Sequence, residues 1–148
     1  MRLSARSEYG LLALVDLATV PDGTPLASRE LSSARGLPAA FLDQLLADLR
    51  RAGIVRATRG ARGGFTLARD PTAITALEIV EALEGPIASS VCTPDVCGRE
   101  GGCAAETMWS SVAAAVRDAL SRFTLADLAG EQAHLDRVPL TCTPRRSE

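Results

Sequence analysis

The stretch ASRELSSARGLPAAFLDQLLADLRRAGIVRATRGARGGFTLAR, residues 27–69, contains two helical patterns followed by an alternating one. The first helical pattern ends at Gly36, and glycine is preferred just past a helix end. The second follows Pro38, a residue that the first turn of a helix tolerates. Its apolar face comprises Phe41, Leu42, Leu45, Leu46 and Leu49. Two helices joined by a glycine-containing turn predict a helix-turn-helix, whose second helix can enter the major groove of DNA.

A β-hairpin is predicted over Ile54 to Arg69, where apolar residues alternate with polar ones on both sides of a glycine-rich turn. The tip of the turn comprises Arg59, Gly60, Ala61, Arg62, Gly63 and Gly64. The glycines allow positive φ angles and a close approach to a phosphate or to the minor groove, and the two arginines supply charge. A hairpin that follows a helix-turn-helix is a wing. Residues 1–85 are therefore predicted to form a winged helix-turn-helix DNA-binding domain.

The flanking segments predict further helices. Residues 7–20 have helical apolar spacing and are followed by the helix-breaking sequence PDGTP. Thr75 and Glu78 form a capping-box pattern before a helix that a Gly-Pro pair ends. A long helix is predicted over Ala104 to Phe123. The fold class is therefore mainly α, with a small β-hairpin as the wing and a long dimerisation helix.

The long helix carries an apolar stripe that so small a domain cannot cover. The stripe comprises Met108, Trp109, Val112, Val116, Leu120 and Phe123. A helix of this length measures about 30 Å, so a partner subunit is the expected cover, and a two-fold homodimer also suits half-sites on DNA. Residues 104–130 are thus predicted to be the dimerisation region. Thr124 and Asp127 repeat a capping pattern before a short helix, and residues 131–148 are predicted to be a flexible tail.

The charge distribution indicates a nucleic-acid partner. All sixteen basic side chains are arginines, whose planar guanidinium suits phosphates and guanine edges. Residues 1–69 hold ten arginines against six acidic residues, a charge of +4, and residues 70–148 hold six against twelve, a charge of −6. No apolar run reaches the roughly 18 residues that a membrane span needs, and the N-terminus shows no signal-peptide pattern. The expected location is the cytoplasm, with no membrane partner.

Three of the four cysteines lie in the stretch VCTPDVCGREGGCAAE, residues 91–106. In a reducing compartment, clustered cysteines are ligands or redox groups more often than disulfides. The spacing Cys92-x4-Cys97-x5-Cys103 contains no C-x2-C pair, which disfavours zinc and excludes C-x-x-C redox chemistry. Wider gaps that contain glycine suit thiolates on separate irons of a cluster, so residues 86–103 are predicted to form a loop that binds an iron–sulfur cluster.

Three cysteines leave one iron of such a cluster without a thiolate. The candidates for the fourth ligand are Glu106, Glu8 from a partner's first helix, His134, Cys142 or no protein group. Glu106 lies three residues after Cys103 and therefore on the same face of the helix. Carboxylates are hard oxygen ligands that bind cluster iron more weakly than thiolates do. A carboxylate ligand would leave the fourth position labile, as a sensor requires.

With these motifs, the chain resembles the winged-helix repressor family that includes the iron–sulfur cluster regulator IscR and the nitric-oxide sensor NsrR. The likeness runs from Met1 to about Ala129 and rests on the segments MRLSARSEYGLLAL, FLDQLLADLRRAGIV, RGARGGFTLAR, ITALEIVEALEG and TLADL. The resemblance implies a homodimer in which the three-cysteine loop holds a [2Fe-2S] or [4Fe-4S] cluster, of which [2Fe-2S] is favoured. It also implies that the state of the cluster controls affinity for a double-stranded DNA operator.

The resemblance further implies which residues contact DNA. The positions that match the family's DNA-reading residues are Ala40, Phe41, Asp43 and Gln44 on the second helix of the motif and Arg59 in the wing. The predicted set is completed by Arg2, Ser28 and Arg62.

Three features depart from the family's pattern. The first cysteine gap has four residues, whereas IscR-like proteins have five. Glu106 stands where those proteins have a ligating histidine, and Glu8 stands where NsrR-like proteins have an acidic ligand donated by the other subunit. These departures leave the cluster type and the stimulus open.

These observations predict a dimeric winged-helix transcriptional regulator that senses redox stress, nitric oxide or iron–sulfur status. One alternative is a regulator of the same fold that has no cluster or binds zinc and uses the loop as a thiol switch. Another is a small electron carrier or enzyme subunit, which leaves the wing and the N-terminal arginines unexplained. Because the chain has a single histidine and no Ser/His/Asp or Cys/His constellation, an enzyme is not predicted.

Overall fold

The computed structural model describes residues 4–21, 23–87 and 103–137, which form six α-helices and one β-hairpin. The helices are α1 (Ala5–Thr19), α2 (Ser28–Arg35), α3 (Ala39–Arg51), α4 (Ala76–Glu84), α5 (Ala104–Ser121) and α6 (Leu125–Leu135). The strands are β1 (Val55–Thr58) and β2 (Gly64–Leu67), and a single 3-10 turn (Pro71–Ala73) precedes α4. This architecture confirms the predicted fold class of a mainly α protein with a hairpin wing.

The buried core surrounds α1, which contacts α3, α4 and α6. Its largest fully buried side chains are Leu14, Leu31, Leu42, Leu45, Leu46, Leu49, Ile54, Ile74, Ile79 and Leu125. Four of these leucines belong to α3, where spacings of three and four residues place them on one side of the helix. Burial of that side determines which residues α3 leaves exposed.

The N-terminus of α1 lies two residues earlier than predicted. Ser4 is the N-cap, and its Oγ accepts a hydrogen bond from the Arg6 amide at 3.1 Å. A serine at this position satisfies one of the amides that the first turn of a helix leaves without a partner. The helix therefore includes Ala5 and Arg6, which the apolar periodicity alone did not indicate.

Only half of the capping box predicted for α4 is formed. Thr75 Oγ1 accepts a hydrogen bond from the Glu78 amide at 3.2 Å, as expected for an N-cap. The Glu78 carboxylate pairs instead with the guanidinium of Arg69, nine residues earlier in the chain. A tertiary ion pair thus takes the carboxylate that the sequence pattern assigned to the cap.

The last helix is longer than predicted. Thr124 and Asp127 form the predicted capping box: the Asp127 amide donates to Thr124 Oγ1 at 3.1 Å, and the Thr124 amide donates to Asp127 Oδ2 at 2.9 Å. α6 then continues to Leu135, beyond the predicted start of the flexible tail. Leu125 and Ala129 are buried in the core around α1, and this packing stabilises the helix as a whole. The rest of the predicted tail, from residue 138, lies outside the described residues.

A short backbone bridge joins the start of α4 to the turn between α5 and α6. The Leu125 amide donates to the Ile74 carbonyl at 2.8 Å, and the Ala76 amide donates to the Phe123 carbonyl at 2.9 Å. These paired hydrogen bonds attach the segment after α5 to the start of α4.

α1 approaches α4 closely at Gly10. A Cβ atom built on Gly10 would fall well inside van der Waals distance of the Leu83 side chain, whose position it would displace. Glycine inside a helix costs about 0.5–1 kcal/mol relative to alanine. We attribute its presence here to the small separation of the two helices.

Replacement of Gly10 by alanine tests this contact. Gly10→Ala is expected to lower the free energy of unfolding by about 1 kcal/mol, because displacement of Leu83 outweighs the gain in helix propensity. In a Leu83→Ala background, the same substitution should raise the free energy of unfolding by about 1 kcal/mol, because only the propensity changes. Urea unfolding of the four chains measures both effects.

The matched control is Gly130→Ala on α6, where an added Cβ meets no atom within 4 Å. This substitution should stabilise the protein by up to about 1 kcal/mol through helix propensity alone. A Gly10→Ala variant that is as stabilised as Gly130→Ala would contradict the close approach of α1 and α4.

Candidate DNA-binding surface and cysteine site

The turn between α2 and α3 is set by Gly36, whose φ of +63° lies in the left-handed region. The Gly36 amide donates to the Ser33 carbonyl at 3.4 Å, and the Leu37 amide donates to the Ser32 carbonyl at 3.0 Å. These bonds satisfy the last carbonyls of α2 and end the helix. Pro38 then takes an extended conformation directly before α3. The predicted boundary at Gly36 is confirmed, and α2 and α3 form the helix-turn-helix.

The outer face of α3 is accessible. Ala40, Asp43 and Gln44 are exposed, and their spacing of three and four residues places them side by side on the helix. The small Ala40 side chain leaves room for a close approach to the first turn. Asp43 can accept a hydrogen bond from cytosine, and Gln44 can bind the edge of adenine in a bidentate manner. Three of the predicted DNA-reading residues thus share one surface.

Phe41 lies at the edge of this surface. Its ring is partly buried and meets the ring of Tyr9 on α1 edge to face, with centroids 6.1 Å apart and an interplanar angle of 88°. Such aromatic pairs contribute stability beyond the area they bury. Phe41 therefore holds the first turn of α3 against α1, and its contact with DNA stays a prediction.

The wing is anchored beside the helix-turn-helix by a bridge that the sequence pattern did not indicate. β1 and β2 pair antiparallel, with Arg56 opposite Thr66. The Leu26 amide donates to the Phe65 carbonyl at 3.0 Å, and the Phe65 amide donates to the Leu26 carbonyl at 2.8 Å. Because Leu26 shortly precedes α2, this bridge fixes the hairpin next to the start of the helix-turn-helix.

The bridge requires glycine at the start of β2. A Cβ atom on Gly64 would collide with the backbone of Leu26. The turn between the strands directly precedes this anchor and presents Arg59 and Arg62, both exposed. The structure thus places the two predicted wing arginines where they are accessible.

The arginines of the N-terminal half divide into two groups. The first group forms the ion pairs Arg6–Asp48, Arg51–Asp48, Arg35–Asp16 and Arg69–Glu78. Hydrogen bonding to Asp16 raises the pKa of Arg35, so that guanidinium is committed to an internal partner. Arg56 on β1 is exposed and donates to Thr66 Oγ1 at 3.1 Å. In the described part of residues 1–69, the exposed arginines with neither an ion pair nor a side-chain hydrogen bond are Arg29, Arg50, Arg59 and Arg62. This second group is free to contact phosphates.

Arg29 and Arg50 were not among the predicted DNA contacts. Arg29 lies in the first turn of α2, and Arg50 lies near the end of α3. The sequence shows them only as two of many arginines, and the pattern of ion pairing separates them from the rest.

The remaining predicted contacts lie near the starts of α2 and of the chain. Ser28 is the first residue of α2 and is partly exposed. At the same helix end, Glu30 Oε2 accepts a hydrogen bond from the Ala27 amide at 2.7 Å. Arg2 lies outside the described residues.

Cys103 is the N-cap of α5. Its Sγ accepts a hydrogen bond from the Glu106 amide at 3.4 Å, which places these two predicted ligands in the first turn of the helix. Cys92, Cys97 and Cys142 lie outside the described residues, as does most of the predicted loop.

The candidates for a fourth ligand are distributed over three helices. Glu8 is exposed on α1, Glu106 is partly exposed on α5, and His134 is exposed on α6. Among residues 4–21, 23–87 and 103–137, no three His, Cys, Asp or Glu side chains form a group that could hold a metal ion. Because two predicted ligands fall outside these ranges, the fit is judged on the chemistry of the donor set. Cysteine thiolates are the usual ligands of iron–sulfur clusters, so the three cysteines suit one.

The apolar stripe of α5 is largely exposed in the single chain. The exposed fractions are 49% for Met108, 48% for Trp109, 41% for Val112 and 49% for Phe123. Val116 and Leu120 are partly buried. A row of large apolar side chains at this exposure is typical of a protein–protein contact surface. The described part of the chain has no helix with both the length and the hydropathy of a membrane span.

Comparison with known proteins agrees with this geometry. A family model described as Rrf2, an iron-dependent transcriptional regulator, matches residues 3–131. An HTH-type transcriptional regulator of Mycobacterium tuberculosis is 37% identical to the chain over 132 residues, which are 88% of this chain and 82% of the relative.

Two solved structures are similar over nearly the whole chain. CymR, the global cysteine regulator of B. subtilis, has a TM-score of 0.74 and 35% identity, and the match covers 88% of this chain and 98% of CymR. IscR of T. potens has a TM-score of 0.75 and 30% identity, with coverage of 93% and 92%. With a helix-turn-helix, a bridged wing and a family match over residues 3–131, the chain belongs to the Rrf2 family and is a DNA-binding transcriptional regulator rather than an enzyme.

Proposed function

We propose that this regulator is a cytoplasmic homodimer whose binding to a double-stranded DNA operator responds to an iron–sulfur cluster. The observation that carries the proposal is the donor set of Cys92, Cys97 and Cys103, three thiols within twelve positions. The last of them caps α5 beside Glu106. A bound cluster would supply sensitivity to redox state, nitric oxide or iron–sulfur status, and [2Fe-2S] is the favoured type.

The chain's own residues have separate tasks in this proposal. The unpaired arginines neutralise phosphates, which gives most of the affinity and makes it dependent on salt. Asp43 and Gln44 read base edges from the exposed face of α3. The apolar stripe of α5 meets the same stripe of a second copy, because a two-fold interface is self-complementary. Cys103 links the cluster site to the dimer contact, since it would bind the cluster and is also the N-cap of the dimerisation helix.

A thiol switch without a cluster is the second candidate. It is favoured by the 35% identity to CymR, a protein named for cysteine regulation. In that case the same three thiols would respond by oxidation, whereas zinc is disfavoured because the spacing lacks a C-x2-C pair.

Metal analysis separates the two candidates. Protein purified without oxygen is expected to be brown, to absorb visible light, and to contain about two irons and two sulfides per chain for a [2Fe-2S] cluster. Cys97→Ala and Cys103→Ala should each lose the visible absorption and most of the iron. If the protein contained about four irons and four sulfides per chain, the proposed cluster would be [4Fe-4S] instead of [2Fe-2S].

Two further variants serve as controls for the fourth position. Glu106→Ala and Cys142→Ala each remove one candidate ligand while they leave the three-cysteine set intact. The variant that loses iron identifies the fourth ligand, and retention of iron in both leaves Glu8, His134 or no protein ligand. Colourless wild-type protein that cannot be reconstituted with iron and sulfide would overturn the cluster proposal and support the thiol switch.

The dimer contact is tested by a charge in the stripe of α5. Val112→Glu should weaken dimerisation at least about a hundredfold, because each subunit would bury an unpaired carboxylate in an apolar interface. Ala114→Glu is the matched control, since residue 114 is exposed and lies about 200° around the helix. Sedimentation analysis should find Val112→Glu monomeric and Ala114→Glu dimeric. Two dimeric variants would place the interface elsewhere.

The roles of the DNA-binding residues are distinguished by salt and sequence dependence. Arg62→Gln should weaken binding to every duplex and reduce the slope of log affinity against log salt by about one. Gln44→Ala should leave that slope unchanged and lose about 1–3 kcal/mol of discrimination at one base pair. Binding to an operator duplex selected from a random library measures both. Arg122→Gln at the C-cap of α5 is the control, because this exposed arginine is paired with Asp118 in that helix.

A further inference from the structure

One guanidinium joins three helices of the DNA-binding domain. Arg6 lies in the first turn of α1, and its Nη2 pairs with Oδ2 of Asp48 on α3. Its Nε donates a hydrogen bond to the Leu83 carbonyl, near the end of α4, at 3.3 Å. The side chain thus bonds to α3 with one nitrogen and to α4 with another.

This pair is shielded from solvent more than a surface ion pair. The side chain of Asp48 is 16% exposed and that of Arg6 is 35% exposed. Arg51 also pairs with Asp48, but its side chain is 79% exposed and solvent competes for it. Removal of Arg6 would therefore leave a largely buried carboxylate with only a solvated partner. A lysine has a single nitrogen and cannot reproduce both bonds of the planar guanidinium.

The first turn of α1 is itself fixed to the end of α4. Ser7 Oγ donates to Glu84 Oε1 at 2.6 Å, and the Ser4 hydroxyl donates to the same oxygen. These two donors, Ser4 first and then Ser7, hold the pKa of Glu84 below its ordinary value and keep its carboxylate charged. Arg6 therefore reaches α3 from a helix turn that Ser4 and Ser7 already attach to Glu84, the last residue of α4.

Asp48 is well placed to control the orientation of α3. It lies one helical turn after Gln44, on the side of α3 between the buried leucines and the exposed face. The leucine face permits small rotations about the helix axis, since apolar packing is non-directional. An ion pair at the flank of the helix is directional and opposes such rotation.

We propose that Arg6 is a positioning residue for operator binding: through Asp48 it fixes the rotation of α3, and hence the direction of Asp43 and Gln44, without contact with DNA. This role rests on the DNA-binding activity of α3 and not on the iron–sulfur cluster. The proposed role of Arg6 would therefore hold even if the protein bound no iron–sulfur cluster. Arg6 belongs to the ion-paired arginines, so its contribution is to sequence discrimination and not to phosphate binding.

The test compares two duplexes at several salt concentrations. One is an operator selected from a random library by the wild-type protein, and the other is a scrambled duplex of the same length and composition. Arg6→Gln and Asp48→Asn should each lower affinity for the selected duplex about tenfold and change affinity for the scrambled duplex by less than about twofold. The salt slope should match that of the wild type, and the double variant should be no worse than either single one.

Arg122→Gln is the matched control for loss of one ion-paired arginine, and it should bind both duplexes as the wild type does. Thermal unfolding of every variant reports the folded fraction. If Arg6→Gln fails to fold, Asp48→Asn and Arg6→Lys provide the same comparison with smaller changes in shape. Arg6→Lys should lie between the wild type and Arg6→Gln in its affinity for the selected duplex.

Three results would overturn the proposal. A salt slope reduced by about one in Arg6→Gln, with equal weakening on both duplexes, would make Arg6 a phosphate contact. Unchanged or higher affinity in Asp48→Asn would show that the ion pair does not orient α3. A lower melting temperature with wild-type affinity for the selected duplex would restrict Arg6 to a purely structural role.

Discussion

Burial of the leucine face of α3 is the constraint on which the rest of the candidate DNA-binding surface depends. Leu42, Leu45, Leu46 and Leu49 are all fully buried in the core around α1. A helix with one face held inside has its opposite face determined, so Ala40, Asp43 and Gln44 are exposed together. The left-handed turn at Gly36 and the bridge between Leu26 and Phe65 then place α2 and the wing around this helix. If α3 were free to rotate about its axis, neither the turn nor the bridge would keep these three side chains exposed together.

What distinguishes the arginines of the N-terminal half is whether each pairs with a carboxylate, and not where it lies in the chain. The arginines of the N-terminal half divide into those that hold helices together through carboxylates and those that remain exposed on α2, α3 and the wing. The first group helps to fix the relative orientation of the helices, and the second supplies the positive surface that a phosphate backbone requires. The ten arginines of residues 1–69 therefore overstate the number available to DNA, because Arg6, Arg35 and Arg69 already pair with internal carboxylates.

α5 connects the end of the cysteine motif to the apolar stripe that is proposed as the dimer contact. Cys103 is its N-cap, Glu106 lies in its first turn, and the turn that follows the helix is bridged to the start of α4 by backbone hydrogen bonds. Between these ends, Met108, Trp109 and Val112 present an apolar surface to solvent. A single helix thus carries the end of the cysteine motif, a surface suited to a second copy and an attachment to the DNA-binding domain. Under the proposed function, a change at Cys103 would reach the start of α4 through the length of this helix.

The sequence by itself determined the helix-turn-helix, the wing and the capping of α6. Glycine at a helix end, threonine at a helix start and periodic leucines act within a few residues, so their effect can be predicted locally. Only the tertiary structure decided that Glu78 pairs with Arg69, that Phe41 packs on Tyr9, that α6 continues to Leu135 and that Arg6 joins α1 to α3 and α4. The physical reason is that each of these outcomes depends on groups distant in the chain. Folding brings such groups together through burial of the core, and no local pattern records which of them will meet.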